Sequence, residues 1–226
     1  MPPNRTLLRC LWIVVIFLAA IGVAVGTRRT IVLLSPRQNV AAKNPAASLD
    51  AHFADHRALT LTHILPGMLF MVLGPLQFMK RLRARYPRFH RWNGRIFLLA
   101  SLVLGVAGLA MAAGDTVGGR DEKAAIFVFG SFFLFALAKA FQHGLQRNFA
   151  SHRAWMIRGY AVGLAVAAIR PIMGTFFAAA ALRGRTPQPQ HFFGTAFWIG
   201  FSLTALTAEI WIRYTQNRPR GLQPCG

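Results

Sequence analysis

Six long apolar segments, separated by shorter polar stretches, constrain the fold of this chain more than any other feature of its sequence. A transmembrane helix needs roughly 20 largely apolar residues to cross a hydrocarbon core of about 30 Å. Backbone groups in lipid must find hydrogen-bond partners inside their own segment, so each segment is expected to be helical. The sequence therefore predicts an all-α polytopic bundle with six spans, at residues 10–26, 58–79, 96–113, 124–142, 157–182 and 192–212.

The composition excludes several other classes of protein. Lys and Arg number 26 against 6 Asp and Glu, which gives a net charge of +20, yet 54% of the residues are hydrophobic. A disordered basic tail would lack this apolar content, and a soluble nucleic-acid-binding domain would rarely contain such apolar runs. Cys10 and Cys225 lie at opposite ends and form no disulfide framework. These features indicate an integral membrane protein with basic loops and no nucleic-acid partner.

The distribution of basic residues predicts the orientation, because cytoplasmic loops carry an excess of Lys and Arg. With the N-terminus inside, sixteen of the 26 basic residues fall on the inner side and nine on the outer side. The densest cluster, seven residues between Lys80 and Arg95, is then cytoplasmic. We therefore expect a multi-pass protein of the cell (inner) membrane with both termini in the cytoplasm.

The N-terminal span has two interpretations, since Arg5 and Arg9 precede an apolar stretch as they would in a signal peptide. The apolar run of 17 residues is long for a signal core, and no clear small-x-small cleavage site precedes Arg28 and Arg29. These observations favour a membrane anchor, whereas cleavage would leave five spans in the same orientation.

The predicted spans and orientation divide the chain into three regions: an N-terminal membrane anchor with an outer loop (1–57), a transmembrane helix-bundle domain (58–213) and a cytoplasmic tail (214–226). The long outer loop is either a solvated linker or a cap on the outer face. Its His52, Asp55 and His56 are better explained by a solvated turn than by a metal site.

Small or polar residues recur at helical spacing in four spans, which indicates helix contacts because lipid-facing surfaces need only apolar groups. The predicted inward stripes are His63, Gly67, Phe70, Gly74 and Gln77; Ser101, Gly105, Gly108 and Ala112; Gly159, Gly163, Ala167, Arg170 and Gly174; and Gly194, Trp198, Ser202, Ala205 and Glu209.

Two ionisable residues within the spans, Arg170 and Glu209, need an interior partner or site because charges are costly in a membrane. Side chains lean toward the N-terminus of their helix. The two spans run in opposite directions, so the two side chains should converge. We expect Arg170 and Glu209 to interact, either as a buried ion pair or as part of a substrate-anion site.

A His–Arg signature occurs twice, at His90 to Arg95 and again at His152 to Tyr160, 62 residues later. Two hairpins of the same direction suggest a duplicated helical hairpin. Trp and Arg at these positions suit interfacial anchors, but the histidines suggest a site in the cytoplasmic half of the bundle. Its candidate ligand or lipid-headgroup residues are His90, Arg91, Arg95, His152, Arg153, Arg158, Arg170 and Glu209.

These motifs also carry a resemblance to a known family. Over roughly residues 58 to 213 the chain resembles the predicted membrane proteins of the bacterial domain-of-unknown-function family number 2306. The resemblance implies a multi-pass membrane protein and no established activity. Phe97 stands where the family commonly has Tyr. The matching residues are His63, Gly74 to Phe78, His90 to Trp92, Gly94, Arg95, His152, Arg153, Trp155 to Arg158, Tyr160, Arg170 and Glu209.

Three functions remain open. The first is a non-catalytic scaffold or accessory protein that binds anionic lipid, another membrane subunit or a second copy of the chain. The second is a small-molecule or proton-linked transporter with an intramembrane Arg, Glu and His site. The third is a haem b electron carrier, with candidate ligands His63, His90, His143 and His152. A phosphate-binding loop, paired cysteines and an intramembrane pair of carboxylates are all missing from the sequence, which favours a non-enzymatic role.

Overall fold

The computed structural model describes residues 5–35, 47–184 and 190–216, and these residues form eight α-helices and no β-strand. The helices are α1 (Arg5–Leu34), α2 (Ala47–Asp55), α3 (Arg57–Phe78), α4 (Lys80–Arg85), α5 (Pro87–Ala113), α6 (Gly119–Leu145), α7 (Phe149–Leu182) and α8 (Gln190–Gln216).

Six of these helices are long and apolar enough to cross a membrane, namely α1, α3, α5, α6, α7 and α8. This confirms the predicted all-α bundle with six spans. The helices extend beyond the apolar runs of the sequence. Helix α5 begins at Pro87 and α7 at Phe149, both before the predicted spans begin. Proline suits the first turn of a helix, and the Asn148 side chain accepts a hydrogen bond from the Ser151 backbone N–H at 3.2 Å. Both His–Arg signatures therefore lie at the start of helices.

The segment expected as an outer loop contains more helix than its composition suggested. Helix α1 continues to Leu34, and α2 packs against α1 and α3. Residues 36–46 of this segment lie outside the described residues, as do 217–226 of the expected tail. For α2, a cap on the bundle is therefore a better description than a solvated linker.

The spans alternate in direction, so the bundle has two ends of different charge. We call the end with α2 and the 114–118 connection the cap end; it holds five of the six acidic residues, namely Asp50, Asp55, Asp115, Asp121 and Glu122. We call the opposite end the basic end; it holds α4, the first turns of α5 and α7, and the last turns of α6 and α8.

An aromatic cluster holds the centre of the bundle together. Phe70 of α3 is fully buried and stacks on Phe97 of α5, with ring centroids 5.0 Å apart. Its ring also lies 5.7 Å from that of Phe133 and 5.2 Å from that of Tyr160. Four helices thus meet around one side chain. Gly74 of α3 allows this approach, because it faces the ring of Tyr160 directly.

The predicted inward stripe is only partly correct for α8: Gly194 is buried, whereas Trp198 and Ser202 are exposed. Hydroxyl groups on this helix do not need an interior partner, because helix carbonyls accept from them: Thr207 Oγ1 donates to the Leu203 carbonyl at 2.7 Å. The buried residues are instead mostly small or aromatic, namely Phe193, Gly194, Ala196, Gly200, Phe201, Ala208 and Ile212.

Candidate functional site

Glu209 forms its ion pair with Arg158. The Arg158 Nε and Nη2 atoms each donate to a different carboxylate oxygen of Glu209 at 3.0 Å, which is the bidentate geometry that guanidinium groups favour. Arg213 Nε lies 3.7 Å from the same carboxylate. The predicted pairing of Arg170 with Glu209 is therefore wrong.

The register between α7 and α8 explains this difference. A Cβ atom at Gly200 would lie 2.9 Å from Ile169 Cγ1, so these two residues face each other in the antiparallel pair. Arg170 then lies level with the first half of α8. Glu209 is nine residues beyond Gly200, roughly 14 Å along the helix axis at about 1.5 Å per residue. The inclination of the two side chains toward the N-termini of their helices is too small to bring Arg170 and Glu209 together across this distance.

Double-mutant analysis of Arg158 and Glu209 should give a clear coupling. Replacing each with Ala, singly and together, is expected to show a coupling of about 1 kcal/mol in the free energy of unfolding, because the pair is bidentate but partly exposed. Reversible unfolding by sodium dodecyl sulfate in mixed micelles measures it. The Arg170→Ala and Glu209→Ala pair is the matched control and should be additive within about 0.5 kcal/mol; coupling there and none at Arg158 would contradict the assignment.

Arg170 lines a cavity at the cap end of the bundle. The cavity has a volume of about 320 Å³, and residues from every helix except α4 surround it. Its walls are mainly apolar, with side chains such as Met68, Leu104, Ile126 and Phe197. The polar groups in its lining include His63, Glu122 and Arg170.

Arg170 is partly buried as a residue, and its guanidinium group forms neither a hydrogen bond nor an ion pair with any residue in the described part of the chain. Its charged neighbours, acting through space, are Glu122, Arg28 and Arg29. A guanidinium group carries five N–H donors, and an ionisable group within a span usually faces a partner or a ligand. Arg170 therefore supplies unused donors to an apolar cavity.

Three other charged groups near the cavity, Asp50, Arg29 and Glu122, have partners, whereas Asp115 of the lining is exposed. Asp50 of α2 is 2% exposed and forms ion pairs with Arg29 and, at 2.9 Å, with Arg28. The guanidinium group of Arg29 also lies 4.5 Å from the ring centre of Phe53. Glu122 is buried and accepts a hydrogen bond from the Gly118 backbone N–H at 2.7 Å.

His63 joins α3 to α5 on the wall of the cavity. Its Nδ1 atom lies 3.1 Å from the Leu104 carbonyl oxygen. A carbonyl only accepts, so Nδ1 carries the proton, and in the neutral ring Nε2 is an acceptor. Gly108 allows this contact, because a Cβ atom there would lie 3.1 Å from His63 Cε1.

The remaining predicted site residues are divided between the two ends. His90, His152 and Arg153 come together at the basic end, where Arg83 is a near neighbour of both His90 and Arg153. Arg91 and Arg95 are exposed at the same end. Arg158 lies about one and a half helical turns further along α7 from His152, whereas Arg170 belongs to the cap end. Most of the predicted set therefore lies toward the basic end, without Arg170, and the direct contact seen within the set is that of Arg158 with Glu209. A common site for these residues stays a prediction.

The four candidate haem ligands do not form one group. His63 lies at the cap end, and His90 and His152 are neighbours at the basic end. His152 Nδ1 donates to the Ala140 carbonyl at 2.7 Å, and His143 Nδ1 is buried without a partner among the described residues. Haem binding stays a prediction, and a Soret band in the absorption spectrum of purified protein is its test. Within residues 5–35, 47–184 and 190–216, no group of three or more His, Cys, Asp or Glu side chains could hold a metal ion.

Three residues near the cavity, Arg29, Asp50 and Glu122, are missing from the sequence-based site. Arg29 and Asp50 fell in the expected loop, and their pairing spans 21 positions that carry no shared motif. The sequence offered one signal for Glu122: it is one of few acidic residues in the chain, and it comes just before an apolar run.

Comparison with known proteins identifies the family of this chain. Residues 60–212 match the family model described as Predicted membrane protein (DUF2306). The match begins in the first turn of α3 and ends in the last part of α8. Helices α1 and α2, with the Asp50 ion pairs, lie outside this match. No curated protein and no solved structure matches the chain. The match covers more than half of the sequence and confirms the resemblance, so the chain belongs to the DUF2306 family of predicted membrane proteins.

Proposed function

We propose that this protein binds a small amphiphile inside the membrane, a mainly apolar molecule whose acidic head group contacts Arg170. The observation that carries the proposal is the unpaired guanidinium group of Arg170 in the lining of an apolar cavity. The volume of about 320 Å³ lies at the lower end of the roughly 300–1,000 Å³ typical of small-molecule pockets. A small ligand with one polar end suits these dimensions.

The charges around Arg170 favour an acidic head group. Three guanidinium groups, those of Arg28, Arg29 and Arg170, lie near two carboxylates, those of Asp50 and Glu122. Asp50 is held by Arg28 and Arg29, and Asp115, the third carboxylate near the cavity, is exposed. The Arg170 guanidinium group thus lacks a hydrogen-bonded counter-ion among the described residues, and at low dielectric it interacts strongly with an anion. The planar guanidinium group also matches a carboxylate with two parallel hydrogen bonds. A carboxylate or a similar acid is therefore the preferred head group.

The rest of the lining supports an apolar body and offers a second polar contact. Aromatic and aliphatic side chains from seven helices form the walls. His63 Nε2 forms no hydrogen bond to the described chain and would accept one from a hydroxyl group of the ligand. This role belongs to the class of small-molecule binding proteins and carriers, and it uses Arg170 and His63 without Glu209.

Radiolabelled decanoic acid is a suitable first probe, with decanol as the uncharged competitor of the same length. We expect saturable binding to the protein in nanodiscs, measured by scintillation proximity against empty nanodiscs, and weaker competition by decanol. Arg170→Gln should weaken decanoic acid binding by about tenfold or more, since a hydrogen bond to a charged group contributes about 1.5–3 kcal/mol.

Arg120→Gln is the matched control, because Arg120 is exposed at the same end of the bundle and outside the cavity lining. It removes the same charge and should leave binding unchanged. Equal binding by wild type and Arg170→Gln, or the absence of saturable binding, would overturn the proposed function.

The proposed location is the cell (inner) membrane, with the basic end and both termini in the cytoplasm. The excess of Lys and Arg at that end supports this orientation. Reporter fusions after Gly226 and within residues 115–121 are expected to report opposite sides of the membrane. Fusions that report the same side would contradict the six-span orientation.

A further inference from the structure

The basic end carries many cations that no carboxylate offsets. Five of the six acidic residues lie at the cap end, and Glu209 is already paired with Arg158 and Arg213. The cations of α4 and of the early turns of α5 and α7 form no ion pair in the described part of the chain. These residues are Lys80, Arg81, Arg83, Arg85, Arg88, Arg91, Arg95 and Arg153.

Two of these cations, Arg83 and Arg153, lie near His90, and the three groups come from three different helices. Arg83 of α4 is an electrostatic neighbour of His90 of α5 and of Arg153 of α7. Arg153 and His90 are half-buried, whereas Arg83 is exposed. We call these residues the Arg83 cluster. The two guanidinium groups repel each other and have no carboxylate partner in the described part of the chain, so this arrangement suits a bound anion that offsets the repulsion.

Hydrogen bonds fix the helices that present the cluster. Gln77 Nε2 donates to the His90 carbonyl at 3.3 Å, and Asn93 Nδ2 donates to the Leu73 carbonyl at 3.3 Å. His152, next to Arg153, donates from Nδ1 to the Ala140 carbonyl at 2.7 Å. The starts of α5 and α7 are thus tied to α3 and α6, so the backbone positions of His90 and Arg153 are set before any ligand binds.

Exposed aromatic side chains lie close in sequence to the residues of the Arg83 cluster, at the basic end of the bundle. Trp92 is 63% exposed, and Tyr86, Phe89 and Phe149 are also exposed. Trp and Tyr concentrate at the depth of the lipid headgroups, where they have an apolar body in lipid and a polar edge in water. This places the cluster at the depth where phosphate groups of lipids lie.

We propose that the Arg83 cluster binds the phosphate group of an anionic phospholipid. This site is distinct from the cavity, because it lies at the opposite end of the bundle and shares no residue with the cavity lining. The two guanidinium groups would donate charge-assisted hydrogen bonds to the phosphate oxygens. Phosphate from a lipid and phosphate from a soluble ester share this chemistry, and the depth of the cluster favours the lipid.

The test compares phospholipids by native mass spectrometry of the full chain released from detergent micelles. Phosphatidylglycerol is the probe and phosphatidylcholine the neutral comparison. The double variant Arg83→Gln, Arg153→Gln is expected to weaken phosphatidylglycerol binding at least about tenfold more than the control does, since it removes charge-assisted contacts and not only surface charge. The matched control is Arg85→Gln, Arg88→Gln, which removes the same charge from exposed positions on α4 and α5, at the same end of the bundle but outside the cluster.

Thermal unfolding in lipid-free detergent gives a second readout. The double variant of the cluster should keep or raise the unfolding temperature, because it relieves repulsion when no anion is bound. Arg83→Gln alone, on an exposed short helix, repeats the binding test if the double variant misfolds. Equal losses of binding in cluster and control variants would overturn the proposal. Competition by soluble glycerol phosphate as strong as that of phosphatidylglycerol would overturn the assignment to lipid.

Discussion

Replacing Asp50 with Ala is expected to release α2 from the cap end. Asp50 is buried and holds Arg29, whose side chain is 8% exposed, together with the more exposed Arg28. Removing the carboxylate leaves a buried guanidinium group without its partner, and breaking a buried ion pair in this way costs about 3–5 kcal/mol. Helix α2 packs mainly against α1 and α3, and its Leu49 contacts the apolar cluster of Ile169, Met173, Phe193 and Ala196. The loss should therefore appear as local opening of α2, with the six spans still folded.

Hydrogen–deuterium exchange of peptides from residues 47–55 measures this opening directly. We expect much faster exchange in α2 of Asp50→Ala and unchanged exchange in α5 to α8. Asp55→Ala is the matched control, because Asp55 lies on the same helix, is exposed, and forms no ion pair with described residues. Slow exchange of α2 in Asp50→Ala would show that apolar contacts, and not the ion pairs, hold this helix.

The Asp50→Ala variant also tests whether α2 covers a ligand in the cavity. His52 and Phe53 of α2 belong to the cavity lining, and the Phe53 carbonyl accepts a hydrogen bond from Thr60 Oγ1 of α3 at 3.0 Å. If α2 covers a ligand bound at Arg170, its release should speed the dissociation of decanoic acid. Faster exchange of α2 with unchanged dissociation would separate the fold of this helix from ligand binding.

The six spans could be predicted from the sequence because apolarity is a local property. Each span is one uninterrupted run, and lipid leaves helix as the sole backbone arrangement for it. The bounds were less accurate, because interfacial residues extend the helices without being apolar. Residues 87–95 illustrate this: α5 begins at Pro87, yet three arginines, His90 and Asn93 occupy its first turns.

Contacts between helices could not be predicted in the same way. The level of Arg170 relative to Glu209 depends on which residue faces Gly200, and that contact is made by a side chain 31 positions earlier, Ile169. Helical periodicity within one span gives the face of a residue but not its height against a neighbour. The Asp50 ion pairs have the same origin, since they join α2 to α1 across a segment that carries no periodic pattern.

Replacing Gly74 with Ala is expected to disrupt the contact between α3 and α7. A Cβ atom at Gly74 would lie 2.7 Å from Cδ2 and Cζ of Tyr160 and would overlap its Cε2 atom. The Tyr160 ring has little room to move, because its centroid lies 5.2 Å from that of Phe70 and 5.4 Å from that of Phe78. Overpacking of this kind costs about 1–3 kcal/mol or more. The severity of the overlap and the fixed ring favour the upper end of this range.

Gly174→Ala provides the matched control, because a Cβ atom there meets no heavy atom within 4 Å. Alanine is also the better helix former, so this variant should be neutral or slightly more stable. Sodium dodecyl sulfate unfolding in mixed micelles compares the two. The steric cause is tested in a Tyr160→Leu background, where the smaller side chain leaves room for the methyl group and Gly74→Ala should cost little. An equal cost in both backgrounds would mean that Gly74 is required for the geometry of α3 itself, next to Pro75, and that Tyr160 is not the group that selects glycine.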